Sequence, residues 1–118
     1  MPDARHRDIT VQELHVKLAE KDAFVLLDVR EPAELELARI DDARLERVPL
    51  SQLAVLGTAA LPASAGKKDA EILVLCHHGN RSAQVAQWLT LQGWTQVSNV
   101  VGGIDAYARR IDAAVGLY

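Results

Sequence analysis

The chain has a single cysteine among 118 residues, so no disulfide can close within it and no cysteine cluster can hold a metal. It also lacks an excess of positive charge. Its 13 Lys and Arg stand against 16 Asp and Glu, and the formal charge of −3 argues against a default electrostatic grip on nucleic acid. Long apolar runs are missing too: Phe24-Val25-Leu26-Leu27 falls far short of the roughly 20 residues a membrane helix needs, so no membrane span is expected. The segment Met1-Pro2-Asp3-Ala4-Arg5-His6-Arg7-Asp8 has no apolar stretch after its basic residues, which argues against a secretory leader and makes a cytoplasmic location the expectation. There is no internal repeat and no low-complexity tract. What remains, 49% apolar and 25% charged, is the composition of a globular chain, and its length suits one domain over residues 1–118. Such a chain buries roughly two-thirds of its unfolded surface, enough for a core without staples.

The apolar pattern alternates between two periods. Thr10 followed by Glu13 forms a capping-box signature, predicting a helix over 11–20 with Leu14 and Leu18 on one face. Residues 24–28 are apolar up to Asp28, the pattern of a strand buried on both sides. Pro32 suits the first turn of a short helix around Leu35. A weak strand near Arg47-Val48, a helix over 50–56 and a surface loop over 57–66 follow. Residues 71–76 read as a second strongly apolar strand, broken by Gly79-Asn80. An amphipathic helix over 82–92 then turns Val85, Ala86, Trp88 and Leu89 inward and ends at Gly93. A last strand over 97–101, a turn at Gly102-Gly103 and a helix over 104–111 complete the chain. Strands and helices alternating at this length predict an α/β fold, an open and mostly parallel sheet with helices on both faces.

Cysteine count alone favours a buried, inert thiol at Cys76. Its position argues the opposite. Open α/β sheets bind ligands just past the carboxyl ends of their strands, and Cys76 closes a predicted central strand. The residues after it, His77-His78-Gly79-Asn80-Arg81-Ser82, form a short loop running into a helix start, where unpaired N–H groups and a partial positive charge favour an anion. Gly79 permits the positive φ that lets amides converge on one point. Arg81 adds a permanent cation and Ser82 a hydroxyl. Cys76 is therefore the expected nucleophile, with His77 to Ser82 as the expected substrate-binding loop. Adjacent side chains tend to diverge, so His77 and His78 are expected to make a poor chelate, their amides mattering more than their imidazoles. No metal and no cofactor is expected.

Three stretches carry a resemblance: Leu26-Leu27-Asp28-Val29-Arg30-Glu31-Pro32-Ala33-Glu34, Cys76-His77-His78-Gly79-Asn80-Arg81-Ser82-Ala83, and Asn99-Val100-Val101-Gly102-Gly103-Ile104-Asp105-Ala106-Tyr107. In this order they resemble the rhodanese homology domain, over a core of about 9–111. The resemblance implies five parallel strands flanked by helices. It also implies transfer of sulfane sulfur from thiosulfate or a related persulfide donor to a cyanide or thiol acceptor, through a Cys76 persulfide held by the loop amides. Expected partners are those small molecules, with a sulfur-relay protein as a further candidate, and neither nucleic acid nor membrane. Asp28 and Arg30 fall in the matching pattern and are expected to support the site by pairing at the strand's end. Trp88, Trp94 and Tyr107 are expected to pack in the core or its rim, and Gly102-Gly103 to turn the chain. The sequence departs from the family over Ala38-Arg39-Ile40-Asp41-Asp42-Ala43, where two glycines and a histidine are absent, so an altered turn and one altered wall of the site are expected.

Two other readings compete. A cysteine-dependent phosphatase or arsenate reductase also uses a thiolate in an anion loop, but its arginine stands one position further along than Arg81, and the loop here holds no carboxylate general acid. A non-catalytic rhodanese-like binding or regulatory module is the alternative from another functional class; an intact Cys76 loop speaks against it.

Overall fold

The computed structural model describes residues 4–118; Met1 to Asp3, part of the segment read for a leader, lie outside the described residues. Five strands form one all-parallel sheet in the order β1-β5-β4-β2-β3. They are β1 (Arg7–Ile9), β2 (Val25–Asp28), β3 (Leu45–Arg47), β4 (Glu71–Leu75) and β5 (Gln96–Val100). The helices are α1 (Val11–Ala19), α2 (Pro32–Leu35), α3 (Leu50–Leu56), α4 (Asn80–Leu91) and α5 (Gly103–Arg110). Among the described residues no helix is long and apolar enough to cross a membrane.

Strand parity divides the core into two layers, because successive side chains on a strand face opposite ways. Val25 and Leu27 of β2, Ile72 and Val74 of β4, and Cys76 just beyond pack with Leu53 of α3 and Val85, Ala86 and Leu89 of α4. Leu26, Leu73 and Leu75 point the other way, against Leu14 of α1 and Ile104 and Tyr107 of α5. The same alternation that buries β4 on both sides thus delivers the Cys76 side chain to the α3–α4 face.

Local signals account for most helix ends. Thr10 and Glu13 form the reciprocal capping box, and Pro32 opens α2. Gly93 follows the end of α4 at φ 109°, and Trp88, Trp94 and Tyr107 pack in or against the core as expected. Two features depart from the sequence reading. The stretch 57–66 is not a plain surface loop but two 3₁₀ turns, Gly57–Ala60 and Ala63–Ala65, with Ala65 buried and its carbonyl accepting the Trp94 indole N–H at 2.9 Å. The atypical stretch 38–43 buries Ala38 and Ile40 in the α1–α5 layer, while Cys76 belongs to the other layer. Beside it lies a clamp on the end of α1. Arg44, fixed by Asp42, donates to the carbonyls of Leu18, Glu20 and Asp22 and so satisfies the open end of α1.

Candidate active site

Cys76 follows the middle strand, and α4 begins four residues later. Gly79, at φ 98°, bends the intervening loop back over the thiol. The result is two amide donors on the sulfur, with a hydroxyl beside them. The Gly79 N–H reaches Sγ at 3.1 Å, the Ser82 N–H at 3.3 Å, and the Ser82 hydroxyl lies 3.2 Å away. The Ser82 hydroxyl donates its one proton to Asn99 Oδ1 on β5, so toward the thiol it acts as an acceptor and links the cysteine to β5. Cys76 is 1% exposed and forms the floor of the loop. Asn80 and Arg81 stand in the first turn of α4, where backbone N–H groups have no intrahelical acceptor.

Gly103 makes this arrangement possible. The first turn of α5 packs against the start of the cysteine loop, with Ile104 N–H donating to the Cys76 carbonyl and Asp105 N–H to the His77 carbonyl. A Cβ on Gly103, at φ 62°, would lie 2.5 Å from both carbonyl oxygens. The turn expected at Gly102-Gly103 is therefore also a docking surface for the loop. Gly103→Ala is expected to cost about 2–4 kcal/mol, from backbone overlap added to positive-φ strain, and to displace Cys76. Urea unfolding measures the first effect and thiol alkylation rates the second. An unchanged midpoint and alkylation rate would refute this role for Gly103.

Arg81 does not face the sulfur as a free cation. Its guanidinium makes a two-pronged pair with Glu34 of α2, at 2.7 and 2.8 Å. Hydrogen bonding from Arg81 holds the Glu34 carboxyl at about 2, against burial, which raises it. Glu34 in turn accepts from the Tyr118 hydroxyl at 3.1 Å, and that hydroxyl accepts from Arg30 at 3.1 Å. Arg30 and Asp28 are fully buried and joined at 2.8 Å. Burial opposes the Arg30 charge, but the Asp28 carboxylate outweighs it and raises the Arg30 pKa. The pair expected at the end of β2 is present, and it anchors a chain of contacts from Asp28 through Arg30, Tyr118 and Glu34 to Arg81. Sequence reasoning missed Glu34, Tyr118 and Asn99 as parts of this assembly. Only Glu34 and Asn99 lay in stretches that gave any signal, through the family resemblance.

The Glu34 carboxyl gives a pH prediction. A carboxyl lowered from an ordinary 4.5 to about 2 stabilises the fold fully above 4.5, and that stability is lost as pH falls toward 2. With Arg81 32% exposed, screening limits the contribution to about 1–2 kcal/mol. Glu34→Gln should therefore lower stability at neutral pH, and the gap between variant and parent should close between pH 4.5 and 2 in denaturant titrations. A gap independent of pH would exclude the ionic link.

The imidazoles correct the sequence reading. The rings of His77 and His78 do not diverge; their centroids lie 3.8 Å apart, because the tight loop folds His78 back over His77. The Tyr118 ring stacks on His77 from the other side at 3.7 Å, nearly parallel. Burial, and secondarily His78, lowers the His77 pKa. His77 Nε2 is buried with no hydrogen-bond partner among the described residues.

A parallel α/β sheet whose middle strand leads into an amide-lined loop around a cysteine defines a class of domain organised about one sulfur atom. The chain belongs to one family of that class, the rhodanese-like domain, whose pattern matches residues 10–110. It is 33% identical over 102 residues to a sulfurtransferase of Allochromatium vinosum, covering 86% of this chain and 88% of that protein. It is 38% identical over 115 residues to the chloroplastic rhodanese-like/PpiC domain-containing protein 12 of Arabidopsis thaliana, covering 95% of this chain but spanning only 37% of the plant protein. Among solved structures, a rhodanese-related protein from Thermoplasma volcanium superposes with a TM-score of 0.71 at 32% identity, over 90% of this chain and 94% of that one. Sulfurtransferase-type function is supported at the level of the family.

Proposed function

We propose that this rhodanese-like domain is a thiosulfate-type sulfurtransferase, acting in a reducing compartment such as the cytoplasm, with Cys76 as its sulfur carrier. The observation that carries this reading is the convergence of two backbone amides on Sγ at the head of α4. Such a pair of donors favours an anion on sulfur without any cofactor. The Cys76 thiolate attacks the sulfane sulfur of thiosulfate, the S–S bond of the donor breaks, and sulfite leaves with the bonding pair. The product is Cys76-S-S⁻. Cyanide or a thiolate then attacks the outer sulfur, takes it as thiocyanate or a new persulfide, and returns the Cys76 thiolate.

In this mechanism the amides of the loop from His77 to Ser82 hold the outer sulfur. Arg81, paired with Glu34, sets the loop's shape and supplies a partly neutralised positive field. Asp28 and Arg30 support that arrangement from below. The pairing of Arg81 speaks against the phosphatase reading, which needs a free guanidinium to clamp phosphate oxygens. Intact-protein mass spectrometry after incubation with thiosulfate tests the proposal. Gain of one sulfur atom on Cys76, reversed by cyanide, is the expected result. Absence of any such adduct with thiosulfate and with polysulfide would overturn the proposal in favour of a binding module.

A further inference from the structure

We propose that His77, His78 and Asp105 form a binding site for a borderline divalent transition cation, with Zn²⁺ the natural probe, at the start of the cysteine loop. One ring nitrogen from each histidine and one Asp105 oxygen all lie within 4.8 Å of one another. Two nitrogens and a carboxylate oxygen are the donor set of open three-ligand zinc sites, with the remaining position left to water or another small ligand.

The fold pre-arranges these donors. Asp105 is placed by its own N–H, which bonds the His77 carbonyl at 3.0 Å, and that approach depends on Gly103. His77 is held in plane by the Tyr118 ring stacked on it. His78 Nδ1 stands 3.8 Å from Asp105 Oδ2, too far for a hydrogen bond. Zinc bonds of about 2 Å to nitrogen and oxygen place neighbouring ligand atoms roughly 3.3 Å apart in a tetrahedron, so the half-exposed His78 must turn out of its stack on His77 as the donors, now within 4.8 Å of one another, close on the ion. His77 also carries a buried ring nitrogen, Nε2, with no hydrogen-bond partner among the described residues, so the ring has coordinating capacity that the fold leaves unused.

One side chain works against the cation. Arg109 donates from Nε to Asp105 Oδ2 at 3.0 Å, so metal and guanidinium compete for the same oxygen. Arg109 is 62% exposed, so Arg109→Gln can remove the competition without unpacking the fold.

Isothermal titration of the full chain with Zn²⁺ near neutral pH tests the site and does not depend on sulfur transfer. One ion per chain should bind in the parent and in Cys76→Ser alike. His78→Ala and Asp105→Asn should each weaken binding at least about tenfold, and Arg109→Gln should tighten it. Circular dichroism verifies that each variant is folded, and the exposed His78 and Arg109 positions keep the test decisive if Asp105→Asn is not. Absence of saturable binding in the parent, equal affinity in His78→Ala, or loss of binding in Cys76→Ser would overturn the proposal; the last would make the thiolate the metal's ligand. Persulfide formation on Cys76 is read separately by mass, so failure of one proposal leaves the other standing.

Discussion

Substituting serine for Cys76 is expected to abolish thiocyanate release from thiosulfate and cyanide, by more than about 10⁴-fold, while leaving the fold intact. The argument rests on what the loop can offer an oxygen in place of sulfur. Serine is close in shape, and its hydroxyl meets the same Gly79 and Ser82 amides that now contact Sγ at 3.1 and 3.3 Å, so no buried donor is orphaned. Urea midpoints should therefore agree within about 1 kcal/mol. An alkoxide, however, is far less accessible than a thiolate at neutral pH and forms no stable sulfane adduct. Binding of thiosulfate should persist while turnover disappears, a change in kcat rather than in KM. Retention of full thiocyanate release would show that sulfur passes from donor to acceptor without visiting the protein.

Arg30→Ala is expected to remove about 3–5 kcal/mol of stability, the largest loss expected from a single substitution here. The side chains of Arg30 and Asp28 are both completely buried, and the guanidinium meets both carboxylate oxygens. Deleting one partner leaves a bare carboxylate in the interior, where its alternatives are protonation or an opening of the sheet edge to water. The same substitution removes donors from the Glu34 carbonyl and the Tyr118 hydroxyl. Set against a total of about 5–15 kcal/mol for a domain, this loss brings the chain close to unfolding. Replacing both members together, Asp28→Leu with Arg30→Met, should recover much of the stability, because an apolar pair carries no desolvation penalty. Sulfur transfer should not recover with it, since Arg30 no longer steadies Tyr118 and Glu34. Chemical denaturation of the single and double variants checks the first claim, and thiocyanate release the second. An Arg30→Ala loss below about 1 kcal/mol would show that water reaches Asp28 in the native state.

Contiguous signals made much of this molecule legible. The apolar runs ending at Asp28 and Cys76, the capping box at Thr10 and Glu13, and the glycines at 79 and 93 each act within a few residues, and the elements form near where those signals stand. Strand β1 left no such trace. Only Ile9 of its three residues is buried, and it exists because β5 offers an edge some ninety residues away. Arg44 reads as one more charged residue until the end of α1 is folded against it. The loop was legible as an anion site, yet Arg81 seemed a free cation, because its partner Glu34 is brought to it only by the sheet. Tyr118 gave no signal at all, since stacking on His77 and bonding to Arg30 and Glu34 are relations that no local pattern encodes.

Strand order also has a consequence for the growing polypeptide. The central strand β4 and its cysteine leave the ribosome before β5 and α5 do, while β1, made first, must wait for β5 before it can pair. Asn99, Gly103 and Tyr118, which later fix Ser82, the loop start and His77, are all still to come at that moment. Pairings so distant along the chain form slowly, and until they do the nascent thiol has no amide donors around it. The interval between the emergence of Cys76 and the docking of β5 and α5 is thus a window in which the thiol is open to oxidants or electrophiles that the finished loop would screen.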